Sequence, residues 1–319
     1  MTSQRHRRLA LIDMGTNTFH LLIVELPAVS NELPVPTVLL RTKVGVKLGE
    51  GGISQGEITP EAFARALHTL DAFQEEIELH LVNEVRATAT SAVRVARNGA
   101  ELVQAIFEQT GIRVEIIPGD REAELITKGI RQAVLLGLVP HLLMDIGGGS
   151  VEFILASENE IFWKQSFEIG AQRLLDKFFT QDPLPATTVQ AQQAWLSEVL
   201  APLTAAVRQH QPVSLVGASG TFDTLCDLQV ARAGQLELIG KAAPATIIPL
   251  ESFRQSYEQL LTLDHTSRLA LPGMTPLRAD MIVVACVLID FVLATYGFTI
   301  IQASAYALKE GLLAEIMGQ

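Results

Sequence analysis

The sequence predicts an α/β protein built from two similar halves, and three observations carry that prediction. Strand and helix patterns alternate along the chain. A strand, an Asp-x-Gly turn and a second strand occur at residues 9–24 and again at 142–157. The chain has 319 residues, 48% hydrophobic and 18% charged, which suits two cores of ordinary size better than one.

The elements follow in order. Residues 9–12 and 20–25 read as strands around the turn DMGTNT, and 27–36, with three prolines beside Ser30 and Asn31, reads as a loop. Another strand at 38–46 ends in the glycine-rich LGEGG of 48–52. A helix is predicted over 59–81, because Thr59 can cap, Pro60 suits the first helical position, and Phe63, Leu67, Leu70, Phe73 and Ile77 recur at helical spacing. A short strand at 82–87 enters ATATSAVR. A helix at 99–110, a strand at 114–117, the polar turn PGDRE and a helix over 122–136 complete the first half.

The second half opens with LLMDIGGGSVEFILAS, which matches LALIDMGTNTFHLLIV when slid by 132 residues: Asp145 falls on Asp13, Gly147 on Gly15 and Ser150 on Thr18. One repeat of this period indicates two similar domains facing each other, since a solenoid needs at least three units. Helices at 170–179 and 186–209, a strand into GASGT (217–221), helices at 252–263 and 278–296, a strand at 298–303 and a terminal helix at 305–317 follow. The expected domains are 1–125, with the terminal helix packing back on it, and 126–302.

Composition excludes several classes. Two cysteines, Cys226 and Cys286, cannot build a disulfide framework or a cysteine-rich metal site. None of the seven histidines stands in an HxH or HxxxH pair, which argues against a histidine-built zinc site. With 24 basic and 35 acidic residues the net charge is −11, which opposes nucleic-acid binding driven by overall charge. Asp13 interrupts the first apolar run after four residues, so no secretory signal is expected. Asp290 interrupts the most apolar late stretch, so a buried helix is expected there and not a membrane span. A cytoplasmic protein is the expectation.

The turns carry the chemistry. Gly15, Thr16, Asn17 and Thr18 in the first, Gly147, Gly148, Gly149 and Ser150 in the second, and Ser219, Gly220 and Thr221 in GASGT place small residues where successive N–H groups and hydroxyls can hold phosphate oxygens. A plain hairpin turn is the competing reading for any one of them; three together favour phosphate. Asp13, Asp145 and Glu152 sit in or beside these turns and could share a magnesium ion, which prefers hard oxygen ligands and bridges carboxylates to phosphates. Glu152 reads equally as a solvated strand residue. Arg94, closing a hydroxyl-rich segment, suits phosphate through its guanidinium fork, or is a surface arginine. Asp120, Glu122 and Glu124 open a helix, where acids favour the dipole and one could orient a water.

The segments DMGTNTFHLLIVE, ATATSAVR, IIPGDREAELI, DIGGGSVEF, GASGT and RADMIVVACVLI, in this order, resemble the exopolyphosphatase/guanosine pentaphosphate phosphatase (Ppx/GppA) family, within the actin, sugar-kinase and heat-shock-chaperone ATPase superfamily. The resemblance covers essentially the whole chain. It implies two ribonuclease-H-like domains facing a cleft, magnesium-dependent hydrolysis of a terminal phosphoanhydride of polyphosphate or guanosine pentaphosphate, and a homodimer. It places the catalytic glutamate at Glu122. Glu124 stands where the family has an arginine, and the C-terminal helical domains of long members, which help grip long polyphosphate, are not expected here. A kinase of the same superfamily and a non-catalytic alarmone sensor are the alternative readings.

Overall fold

The computed structural model describes residues 7–26, 36–241 and 243–318, so the proline-rich loop expected at 27–36 lies outside the described residues except for Pro36. The chain divides into two compact units, Met1–Glu122 with Leu312–Gln319, and Ala123–Gly311.

In the first unit, β1 (Arg7–Met14), β2 (Thr18–Leu26), β3 (Thr37–Gly45), β4 (Glu84–Ala89) and β5 (Val114–Ile116) form a sheet ordered β3-β2-β1-β4-β5. The β1–β2 and β2–β3 pairs are antiparallel, and β1–β4 and β4–β5 are parallel. Helix α1 (Pro60–Leu79) starts as its sequence predicts, with Thr59 Oγ1 accepting from the Ala62 N–H. Its Ala66, Leu70, Phe73 and Ile77 pack with Ala10, Ile12, Phe19 and Leu21 of the sheet. Segment ATATSAVR is the end of β4 followed by a short helix, α2 (Ser91–Val95), which the sequence did not announce. Helix α3 (Gly99–Thr110) has the predicted bounds.

Helix α4 (Gly119–Ala133) corrects an expectation: PGDRE is not a free turn, because Gly119 already opens the helix and the Glu122 N–H donates to Pro118 O. The boundary between the units falls within this helix, at Glu122/Ala123.

The second unit carries β6 (His141–Ile146), β7 (Val151–Ala156), β8 (Ile161–Phe167), β9 (Leu215–Ala218), β10 (Ala245–Pro249) and β11 (Ile300–Ser304), ordered β10-β11-β9-β6-β7-β8. Apart from β10 this order repeats the first sheet, so the strands bearing Asp13 and Asp145 occupy equivalent places in two separate sheets. Together they form the expected pair of ribonuclease-H-like sheets. Strand β8 has no counterpart in the sequence reading, because six of its seven residues are half-buried and no alternation marks a buried face.

Helices α5 (Ala171–Phe178), α6 (Ala186–Val199), α7 (Ala201–His210), α8 (Gly220–Arg232), α9 (Leu250–Thr262), α10 (His265–Leu269) and α11 (Met281–Tyr296) cover this sheet. The single helix expected at 186–209 is two, because Pro202 lacks an N–H and opens a new helix. Helices α8 and α10 and strand β10 were not foreseen. Helix α11 buries side chains all round and packs on α5, α6 and α9. Among the described residues no helix is long and apolar enough to cross a membrane.

The terminal helix α12 (Leu308–Ile316) begins three residues later than expected, because Ser304 Oγ donates to Tyr306 O and accepts from the Tyr306 N–H, holding the chain in a turn. Its Leu312, Leu313 and Ile316 pack on Leu9, Leu11, Leu22 and Val24 in the first unit. That covers the second face of β1, so this strand is apolar along most of its length. Earlier in α12, Gly311 lies against the backbone of Leu125 and Gly129 in α4.

Candidate active site

The two Asp-x-Gly turns are closed by the same bond. Gly15 N–H donates to Thr18 O and Gly147 N–H to Ser150 O, each at 3.0 Å, and a Cβ on either glycine would press on that carbonyl at 3.0 Å. Each turn is also braced by the chain that follows the third strand of its sheet. In the first unit Lys47 N–H donates to Asn17 O and Gly49 N–H to Thr16 O, both at 2.9 Å. In the second, Gly170 N–H donates to Gly149 O at 3.1 Å and Gln172 N–H to Gly148 O at 2.8 Å. The glycine-rich LGEGG is therefore a brace for the first turn as well as the end of a strand.

In the first unit the carboxyl ends of β1, β4 and β5 gather the predicted residues, the usual position for a ligand on an α/β sheet. Thr16 and Asn17 are buried beside Asp13, and Thr90 N–H donates to Met14 O at 3.3 Å, which brings the start of α2 to the same edge. Arg94 Nη1 then donates to Ile117 O at 3.2 Å and to Glu122 Oε2 at 2.8 Å. Glu122 is 6% exposed, whereas Asp120, one turn position earlier, faces solvent. Asp13 is the cross-strand partner of His20.

In the second unit Asp145 and Glu152 are direct cross-strand partners, as are Glu152 and Ser166 on β8. Ser166 Oγ donates to Glu152 Oε1 at 2.6 Å. Burial pushes the Asp145 carboxyl up to about 6; the Ser219 hydroxyl opposes this by hydrogen bonding, Asp223 adds to it, and Lys309 and Arg278 oppose it by charge. Ser219 has φ 70° and ψ 179°, a region suited to glycine, which marks a strained backbone at the start of α8. Next to it, the Arg278 guanidinium lies on Gly220: a Cβ there would come within 1.9 Å of Nη2. The buried Thr221 Oγ1 has no hydrogen-bond partner among the described residues. Gly147, Gly148, Gly149 and Ser150 stand at this same carboxyl edge.

The sequence reading missed Ser166, Gly170, Arg173, Asp223, Arg278 and Lys309. A signal existed only for Arg278, in the RADM segment. Glu124, at the position where an arginine was expected, pairs with Lys164 of β8.

The carboxylates fit a divalent cation. Asp145 and Glu152 are buried directly opposite each other on one sheet face, and their carboxylate oxygens are hard ligands of the kind a divalent cation takes. Among the described residues no three His, Cys, Asp or Glu side chains form a metal cluster. The second unit thus offers two hard oxygen ligand groups and not a closed cage, a donor set suited to magnesium, which keeps waters and takes substrate phosphates.

The chain matches the Ppx/GppA phosphatase family over residues 23–319. It is 28% identical over 307 residues to Exopolyphosphatase 1 of Mycobacterium tuberculosis, covering 96% of this chain and 87% of that protein. The crystal structure of an exopolyphosphatase from Cytophaga hutchinsonii is 44% identical, with a TM-score of 0.92 and 98% of both chains covered. The Aquifex aeolicus member of the family, at 20% identity and a TM-score of 0.78 over 98% of both chains, shares the fold. The chain, from the second strand of its first sheet to its end, belongs to the Ppx/GppA phosphatase family.

Proposed function

We propose that this protein is a phosphoanhydride hydrolase that releases the terminal phosphate of inorganic polyphosphate, with guanosine pentaphosphate as a second substrate of the same chemistry. The observation that carries the reading is Glu122, a buried carboxylate held by Arg94 at 2.8 Å in the unit that carries the first braced Asp-x-Gly turn. Membership of a phosphatase family and likeness to two exopolyphosphatases support it.

In this reading Glu122 accepts a proton from the attacking water. Arg94 fixes the orientation of that carboxylate through its hydrogen bond at 2.8 Å. The N–H groups and hydroxyls of residues 15–18, 147–150 and 219–221 bind phosphate oxygens and stabilise the charge that develops on them. Asp145 and Glu152, with Asp13 as the sequence-based expectation, would hold magnesium, which when bound would supply charge neutralisation to the phosphates. The working form is a cytoplasmic homodimer. The test is phosphate release from polyphosphate and from guanosine pentaphosphate side by side, with magnesium and with chelator. Magnesium-dependent release from at least one of them is expected. No release from either would leave the alarmone-sensor reading in its place.

A further inference from the structure

Three consecutive glycines, Gly147, Gly148 and Gly149, form the second turn. Glycine has the widest backbone freedom, so such a run does not choose its own peptide orientations. Something else must set them.

The start of α5 does so. Gly147 O accepts from Ala171 N–H at 2.9 Å, Gly148 O from Gln172 N–H at 2.8 Å, and Gly149 O from Gly170 N–H at 3.1 Å. These peptides are trans, since among the described residues the one cis bond is Asp182–Pro183. In a planar trans peptide C=O and N–H point in opposite directions. With three carbonyls turned towards α5, the N–H groups of Gly148, Gly149 and Ser150 are turned away from it, all to one side. The N–H groups of Gly170, Ala171 and Gln172 are taken up in these bonds, so the start of α5 acts as a template for the turn. Gly170 is required at the contact, where a Cβ would lie 2.4 Å from Gly148 C.

One side chain joins the backbone donors. Arg173 Nε donates to Gly149 O at 3.0 Å, and Glu168 Oε2 holds Arg173 Nη2 at 3.1 Å. Gly149 O thereby receives two bonds, and its peptide carries the Ser150 N–H. In the first unit the corresponding bonds onto the turn come from the main chain of Lys47 and Gly49. We infer that Arg173 is a positioning residue for phosphate binding: by fixing the Gly149 carbonyl it aims the Ser150 N–H at a phosphate oxygen. The inference rests on the reading of the turn as a phosphate site.

The experiment compares wild type with Arg173→Ala, Arg173→Lys and Glu168→Gln. It measures KM and kcat on polyphosphate, inhibition by inorganic phosphate, and the Ser150 amide signal by NMR during a phosphate titration. Arg173→Ala is expected to raise KM and the phosphate inhibition constant together by about 10-fold, the scale of one hydrogen bond from a charged donor, with a smaller change in kcat. The Ser150 amide should then no longer shift at phosphate concentrations that saturate wild type. Arg173→Lys should recover part of the loss, because an ammonium can still reach the carbonyl. Should Arg173→Ala not fold, Glu168→Gln decides, with an expected rise of a few-fold in both constants. Unchanged constants and an unchanged Ser150 response in the folded variants would overturn the inference. A wild type that binds phosphate at Ser150 yet releases none from polyphosphate would overturn the hydrolase reading and leave Arg173 testable by NMR.

Discussion

Asp145 and Glu152 face each other across the β6–β7 ladder, and both are buried, at 5% and 1% exposure. Seven residues apart in sequence, they are brought side by side by a tight turn that returns the chain on itself. The equivalent pair in the first sheet is Asp13 and His20. The two halves thus share a backbone plan while differing in charge at the row that follows each turn.

A pH dependence of stability follows from Asp145. Its carboxyl stands at about 6 against an ordinary value of 3.8, chiefly because burial disfavours the charged form. A raised acid contributes stability that is present below 3.8 and lost as pH climbs through about 6. The loss is on the order of 3 kcal/mol by pH 7. Thermal melts in chelator from pH 4 to 7 should show it, and Asp145→Asn should flatten the curve. An unflattened curve in the variant would assign the dependence to another group.

Divalent cation should restore what ionisation costs. Magnesium is expected to raise the melting temperature of wild type at pH 7 and to do so far less at pH 4, where Asp145 is protonated. Glu152→Gln should abolish most of the rise. A magnesium response in Glu152→Gln equal to that of wild type would remove this residue from the metal set.

Replacing Glu122 with Gln keeps its size and most of its hydrogen bonding but removes the basic carboxylate. Turnover is expected to fall on the order of 100-fold or more while substrate binding survives. Asp120→Asn, on the exposed side of the same helical turn, should stay near wild type. Equal losses at both positions would point to local charge and not to one base.

The crossing of α12 on α4 depends on glycine. A Cβ at Gly311 would lie 1.7 Å from Leu125 O, and one at Gly129 would lie 2.0 Å from Ala307 O. Either Gly→Ala change should destabilise the protein by about 3 kcal/mol or more, since rigid backbone and not a flexible side chain must give way. Denaturant titration checks this, and a loss below about 1 kcal/mol would show that the helices can separate at little cost.

Much of this protein was determined by the sequence alone. Alternating apolar strands around Asp13 and Asp145, the Thr59–Pro60 helix start and the repeated Asp-x-Gly turn are local patterns, set by side-chain period and backbone preference over a few residues. They sufficed for the α/β class, the duplication and the placing of the two Asp-x-Gly turns. Other features were decided only when distant segments met. Strand β8 lacks alternation because its environment is even on both sides. The helix over 186–209 breaks where Pro202 denies it a hydrogen bond. Ser166, Arg173 and Arg278 acquire roles only because the fold places them against Glu152, Gly149 and Gly220. Burial is likewise a tertiary property: the same Asp145 in an unfolded chain would titrate as an ordinary carboxylate, and only the surrounding protein, by excluding water, moves it to about 6.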